Sequence, residues 1–258
     1  MVDNNKLRYK TLGDFTRILA LFEEPDVSEK GVNEIAKSLG MLPSKVSRML
    51  KTLEVDGWVE RNPRTGKYRI GARFLQIGLL YALNHPMRRL VIPHLEQTAR
   101  DLGLLTAWGI FKNDKVIVVD RFQLDHGPLI HLLGSNVPLH SSSYGKLFLA
   151  YAPKEQRERL LKSLVFTKLG PRTILGVEAL REELQEVTDK GYALDNEETR
   201  EGVTGIGAPI FDDSQEIVAA LTISARTANF SVGMASEITY LREKALFISR
   251  QLGHTAGR

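Results

Sequence analysis

The stretch Leu42 to Gly71, LPSKVSRMLKTLEVDGWVERNPRTGKYRIG, leaves the chain few choices of local structure. Pro43 suits a first helical turn, where its missing N–H costs nothing. At about 100° per residue, Val46, Met49, Leu50 and Leu53 fall on one side of that helix. Ser44, Ser47, Arg48 and Lys51 fall on the other, with Lys45 beside them. Gly57 then breaks the chain, and Trp58-Val59-Glu60 begins a strand. Asn62-Pro63-Arg64-Thr65-Gly66 is turn chemistry, and Lys67-Tyr68-Arg69-Ile70 alternates cations with apolar groups. A helix followed by a basic hairpin, Arg64 at its tip and Lys67 and Arg69 on its outer face, is the DNA-reading half of a winged helix-turn-helix. Small hydroxyls and long cations suit base edges and phosphates.

The upstream segment supplies the other half. Asn33 is positioned to cap a helix from Glu34 to Leu39, with Ile35, Ala36 and Leu39 turned inward and Gly40 as its stop. Only Gly40, Met41 and Leu42 separate it from the next helix, a helix-turn-helix spacing. An earlier helix, Thr11 to Glu24, offers Leu12, Phe15, Ile18, Leu19 and Phe22 as a buried stripe. The charge distribution bears on the partner. Lys37 to Arg73 carries nine Lys or Arg against three acids, whereas residues 84–258 carry 21 of each. The net surplus of four therefore sits around the motif, as a module for double-stranded DNA requires. The alternative is an assembly module whose winged helix makes protein contacts.

Composition narrows the class further. There are no cysteines, which excludes disulfides, zinc–thiolate sites and cysteine nucleophiles and fits a reducing compartment. The start MVDNNKLRYK lacks the apolar core of a signal peptide, and no run approaches the ~20 apolar residues needed to span a bilayer. The expectation is a cytoplasmic protein with no membrane partner.

Gly71 to Leu83 reads as a helix apolar almost all round. Such a helix needs a second apolar partner: its copy in a dimer, or burial between two domains. Beyond Asn84-His85-Pro86, strands and helices alternate. A helix runs from Pro86 to Leu102, with a kink expected at Pro93. Strands are expected at Thr106–Phe111 and Lys115–Arg121, around Lys112-Asn113-Asp114. Helices follow at Ser142–Tyr151, Lys154–Ser163 and Val177–Lys190, then strands at Gly205–Phe211 and Ile217–Ser224, then a helix at Ala235–Leu252. This is an α+β order, an antiparallel sheet with packed helices. The expected division is a DNA-binding domain at 1–71, a linker helix at 72–85 and an effector-binding domain at 86–258.

Three blocks together resemble one known family: EIAKSLGMLPSKVSRMLKTLEVDGWVE (Glu34 to Glu60), PLHSSSYGKLFLAY (Pro138 to Tyr151) and GYALDNEETREGVTGIGAPIFDDSQEIVAALTISA (Gly191 to Ala225). The chain is similar to the IclR family of bacterial transcription regulators, from about Leu12 to Gly253. The resemblance implies a winged helix-turn-helix, a dimerising linker helix and a GAF-like domain that binds a small molecule. It also implies homodimers, often paired into tetramers, on palindromic or repeated operators, with repression the favoured sign.

Candidate effector contacts follow from both sources. Small polar residues from Ser141 to Gly145 stand at a helix start, where free N–H groups form an anion site. The family's matching turn lines the effector pocket, which points to Ser143 and Tyr144. Asp195, Val203, Gly205 and Leu129 also stand where relatives line that cavity. Thr222 and Ser224 share one strand face, so both hydroxyls can point at one ligand. The competing reading is that Ser142 or Ser143 only caps the helix and Thr222 only packs in the sheet. Many relatives carry a cysteine where this chain has Gly205, which widens the cavity; Tyr144 is bulkier than the residue often found there. A small organic acid and an aromatic catabolite both remain open as effector.

Enzyme readings lack support. Ser143 has no nucleophile elbow. Gly202-Val203-Thr204-Gly205-Ile206-Gly207 has the wrong order for a dinucleotide fingerprint and leads into a strand. Asp195, Glu197 and Glu198 imitate an acid/base cluster, but a surface turn keeps such groups solvated. His126, His131 and His140 match no familiar metal spacing. No catalytic residue, cofactor or metal site is assigned.

Overall fold

Gly40, at φ 64°, takes the left-handed conformation that ends α2 (Val32–Leu39) and aims the chain into α3 (Pro43–Val55). These elements belong to the computed structural model of the chain, which describes residues 9–23, 29–124 and 133–255. It divides into two compact units, Met1–Leu83 and Asn84–Arg258. In the first, α1 (Lys10–Ala20), α2 and α3 close over a core of Ile18, Ile35, Val46 and Leu50. The wing, β1 (Val59–Arg61) and β2 (Tyr68–Ile70), adds Val59 and Tyr68 to that core. Lys30 and Tyr68 exchange backbone hydrogen bonds at 2.9 Å, which ties the segment before α2 to the wing.

The caps and the stripe differ from the expectation in three places. The N-cap of α2 is Gly31, not Asn33: the Gly31 N–H donates to Glu34 Oε2 at 2.7 Å, so the carboxylate reaches back to the helix start. Helix α1 ends at Ala20, short of Glu24. Within it Leu12 is exposed and Asp14 is buried instead, because Lys45 of α3 reaches across to pair with that carboxylate.

Helix α4 (Ala72–Asn84) has no buried residue. Leu75, Leu79, Leu80, Tyr81 and Leu83 are all more than half exposed. Apolar side chains exposed at this density mark an interaction surface.

The second unit is a six-stranded antiparallel sheet in the order β5-β4-β3-β8-β7-β6. Its strands are β3 (Leu105–Lys112), β4 (Lys115–Phe122), β5 (Asn136–Val137), β6 (Ala193–Asn196), β7 (Val203–Phe211) and β8 (Ile217–Arg226). Asn113 and Asp114, both at positive φ, make the two-residue turn between β3 and β4. The faces bury different sets of side chains. Leu105, Ala107, Val116, Val118 and Ala220 pack under α6 (Ser143–Tyr151), α7 (Lys154–Ser163) and α8 (Val177–Lys190). Trp108, Ile110, Ile206, Ala208, Leu221 and Ile223 pack under α5 (Arg88–Leu102) and α9 (Ala235–Gln251). The helix α5 carries Pro93 in its interior, and its first residue is Arg88, not Pro86. Strands β5 and β6 are additions to the expected set. Among the described residues no helix is long and apolar enough to cross a membrane.

Candidate functional site

The outward face of α3 and the wing come first. Ser44, Arg48 and Lys51 are exposed on α3, Ser47 is half-buried, and Arg64 is exposed at the wing tip. Asn62 Oδ1 accepts from the Arg64 N–H at 2.9 Å, the side-chain turn that sets that tip. Glu29 fastens the tip from behind, accepting from Asn62 Nδ2 at 2.5 Å and Thr65 Oγ1 at 2.8 Å. Those bonds hold the Glu29 carboxyl below its ordinary range. Arg48, Lys51 and Arg64 make no ion pair among the described residues.

Other cations of this face are already engaged. Lys45 pairs with Asp14 and holds its carboxyl below the usual range. Lys67 Nζ lies 3.0 Å from Glu34 Oε1, and Arg69 is 3.0 Å from Glu60 Oε2 across the hairpin. A phosphate would have to compete with those carboxylates, so the unencumbered charge lies on Arg48, Lys51 and Arg64.

The second cluster lies beneath the start of α6. Ser142 is the N-cap: its Oγ accepts from the Gly145 N–H at 3.0 Å. Ser143 is thereby left to face the sheet. Gly145 has no room for a side chain, since a Cβ there would stand 2.4 Å from the Leu139 Cα. The helix start lies against β7 at Gly207, where a Cβ would stand 2.9 Å from Leu147 Cδ1 and 3.1 Å from Ser143 Cβ. Asp195, Gly205 and Ser224 lie in one register row across β6, β7 and β8. A Cβ built on Gly205 would meet Ser224 Oγ at 3.3 Å, Asp195 Cβ at 3.5 Å and Ser143 Oγ at 3.6 Å. Four of the expected residues thus converge on one point.

Tyr144 and Thr222 form an adjoining pair. Tyr144 is fully buried, and a Cβ on Gly109 would lie 3.1 Å from its ring. Burial raises the phenol's pKa, opposed by a hydrogen bond with Thr222. Thr222 Oγ1 also donates to the Ala107 carbonyl at 3.3 Å. Val203, two residues before Gly205 on the same strand face, stands at the mouth of β7 opposite Arg226. Leu129 lies outside the described residues, as do His126 and His131. His140 is buried, with Nε2 3.0 Å from the Thr167 carbonyl and its ring edge-on to Phe166.

One part of the site runs against the sequence reading. Asp195 and Glu198 are buried, not solvated on a surface turn. The reason is Lys146, a fully buried lysine on α6, whose Nζ donates to Glu198 Oε1 at 2.6 Å and to Glu183 Oε1 at 2.7 Å. Asp195 Oδ1 accepts from the N–H groups of Glu198 and Thr199, both at 3.0 Å. Burial pushes the Glu198 carboxyl up to about 7 against the pull of Lys146, and pushes Asp195 up as well. Lys146 gave no signal in the sequence beyond its place two residues after Tyr144.

Comparison with known proteins bears on both clusters. The sequence profile described as bacterial transcriptional regulator IclR C-terminal matches residues 80–251, and that of the IclR helix-turn-helix domain matches residues 16–63. The HTH-type transcriptional regulator XynR of Escherichia coli K12 is 28% identical over 93% of this chain and 96% of its own length. The glycerol operon regulatory protein of Streptomyces griseus is 31% identical over 88% of this chain and 90% of its own. Among solved structures, an IclR homolog from Microbacterium hydrocarbonoxydans complexed with 4-hydroxybenzoate superposes with a TM-score of 0.76 at 26% identity, covering 94% of this chain and 99% of that one. With both profiles matched in order along most of its length, the chain belongs to the IclR family of bacterial transcriptional regulators, pairing a DNA-binding helix-turn-helix with a C-terminal effector-binding domain.

Proposed function

We propose that this protein is a cytoplasmic, non-catalytic repressor that grips a palindromic or repeated operator as a homodimer and changes that grip when a small organic acid or aromatic catabolite binds in its second unit. Residues 1–71 read DNA through Ser44, Ser47, Arg48, Lys51 and Arg64, with Lys45 and Lys67 in supporting positions. Residues 72–85 link and dimerise through the exposed apolar surface of α4. Residues 86–258 hold the effector.

The observation that carries the effector assignment is the convergence of Ser143, Asp195 and Ser224 on the space above Gly205. Two hydroxyls and a carboxyl around a residue with no side chain suit a small polar ligand. Tyr144, Thr222 and Val203 form the adjoining walls, and Leu129 is assigned to the same cavity from the family resemblance. The 4-hydroxybenzoate bound to the Microbacterium homolog supports an acid or phenol of this size. Binding of one ligand must shift the affinity of the other by the same factor.

The test is binding to DNA fragments flanking the protein's own gene, titrated with salt and then with candidate acids. Footprinted binding that falls steeply with salt and moves with one acid supports the reading. Binding indifferent to salt and sequence overturns the DNA assignment. A monomeric mass by light scattering at micromolar concentration overturns the dimer.

A further inference from the structure

We infer that the second unit carries another small-molecule site, at the opposite end of α6 from Ser143, that takes a planar aromatic monocarboxylate. A cavity of about 360 Å³ opens where the ends of α6 and β7 meet α9. That volume lies in the range of small-molecule sites. Ser143, Asp195, Gly205 and Ser224 take no part in its lining, so it is separate from the effector cluster.

Its wall is aromatic. Tyr151, the last residue of α6, meets the Phe211 ring edge-on at 5.0 Å, and Phe211 stacks on His254 at 5.1 Å. A planar ring added to such a set gains offset-stacked or edge contacts. The polar groups are few and opposed in sign. Arg242 on α9 lies over Gly191, the left-handed C-cap of α8, where a Cβ would stand 3.3 Å from the guanidinium. It has no ion pair among the described residues, and the carbonyl end of α8 favours a cation there. His254 Nδ1 is buried without a hydrogen-bond partner, an unmet polar group on a residue that lines the cavity. A carboxylate oxygen entering the cavity can pair with the Arg242 guanidinium. Glu243 also lines the cavity and repels a second carboxylate, which limits the ligand to one acid group.

Benzoate titrated into the full-length protein by calorimetry tests this. The expected result is saturable binding that Arg242→Ala weakens about tenfold or more, as loss of a charge-assisted bond requires. Arg242→Lys is expected to fall between, since it keeps the charge but not the fork. The Ser143→Ala, Ser224→Ala pair is measured alongside, since binding lost there and kept in Arg242→Ala would place benzoate at the effector cluster instead. Absence of saturable binding, an Arg242→Ala protein that binds as well as the parent, or loss confined to the serine pair each overturns the site. DNA affinity does not enter the readout, so failure here leaves the effector cluster standing.

Discussion

Lys146 Nζ, fully buried inside α6, sits 2.6 Å from Glu198 Oε1 and fastens the start of that helix to the turn after β6. A buried cation with two carboxylates is held by mutual satisfaction, and removing one partner leaves a charge stranded away from water.

Lys146→Met is therefore expected to lower stability by about 3–5 kcal/mol. Adding Glu198→Leu to it should recover much of the loss, because it removes the more deeply buried stranded carboxylate, whereas Glu183 keeps contact with water. Urea denaturation of the single and double variants measures both. A double variant as unstable as the single one contradicts the ion-pair account.

Acid titration supplies an independent check on the same group. The folded Glu198 carboxyl is raised to about 7 from an ordinary value of 4.5, so the folded state binds the extra proton between those values. Its contribution to stability is full below 4.5 and is lost as pH rises through about 7. Glu198→Gln cannot titrate and should flatten the slope of unfolding free energy against pH in that window. An unchanged slope would show that the titration belongs elsewhere.

On the DNA side, ion pairing separates cations that look alike in the sequence. Arg48 is exposed and makes no ion pair among the described residues, whereas Lys67 is 3.0 Å from Glu34. Arg48→Ala is expected to cost about 1–3 kcal/mol in operator binding, with the thermal transition unmoved. Lys67→Ala should cost less and change the salt slope less than Arg64→Ala. Gel-shift titrations at several salt concentrations decide the order, and a larger effect at Lys67 would reverse the assignment.

The hydroxyl pair over Gly205 is expected to serve the effector and not the operator. Ser143→Ala with Ser224→Ala should blunt the shift in operator affinity caused by an effector while leaving binding without effector near the parental value. Each lost hydrogen bond to a charged ligand is worth about 1.5–3 kcal/mol. A full response in the double variant rejects these residues as contacts.

Long periodic elements were legible in the sequence, and compact polar ones were not. Helices α7 and α8 carry enough turns for caps and stripe to agree, and both fall at Lys154–Ser163 and Val177–Lys190 as expected. Strand β6 reads Ala-Leu-Asp-Asn, too short and too polar to show alternation; it exists because β7 offers it a register partner. The same blindness to distant contacts hid Asp14 and Glu198. Each looks solvated in its own segment, and each is drawn inward by a lysine that arrives from elsewhere in the chain. Ser143, Asp195, Gly205 and Ser224 were assembled from two separate blocks by resemblance to relatives. Local pattern supplied the shared face of Thr222 and Ser224 but could not place α6 above it.

The row formed by Asp195, Gly205 and Ser224 makes the sheet a gauge for whatever sits on it. Neighbouring strands are about 4.8 Å apart, so the carboxyl and the hydroxyl spring from main chain about 9.6 Å apart with bare glycine between. That interval belongs to the hydrogen-bond ladder, and no rotamer change can stretch it. For the effector site proposed above, variation in ligand choice must then come from side chains that stand on the row or lean over it from α6. A one-residue slip in β7 would instead turn Ile206 toward α6 and erase the mark altogether.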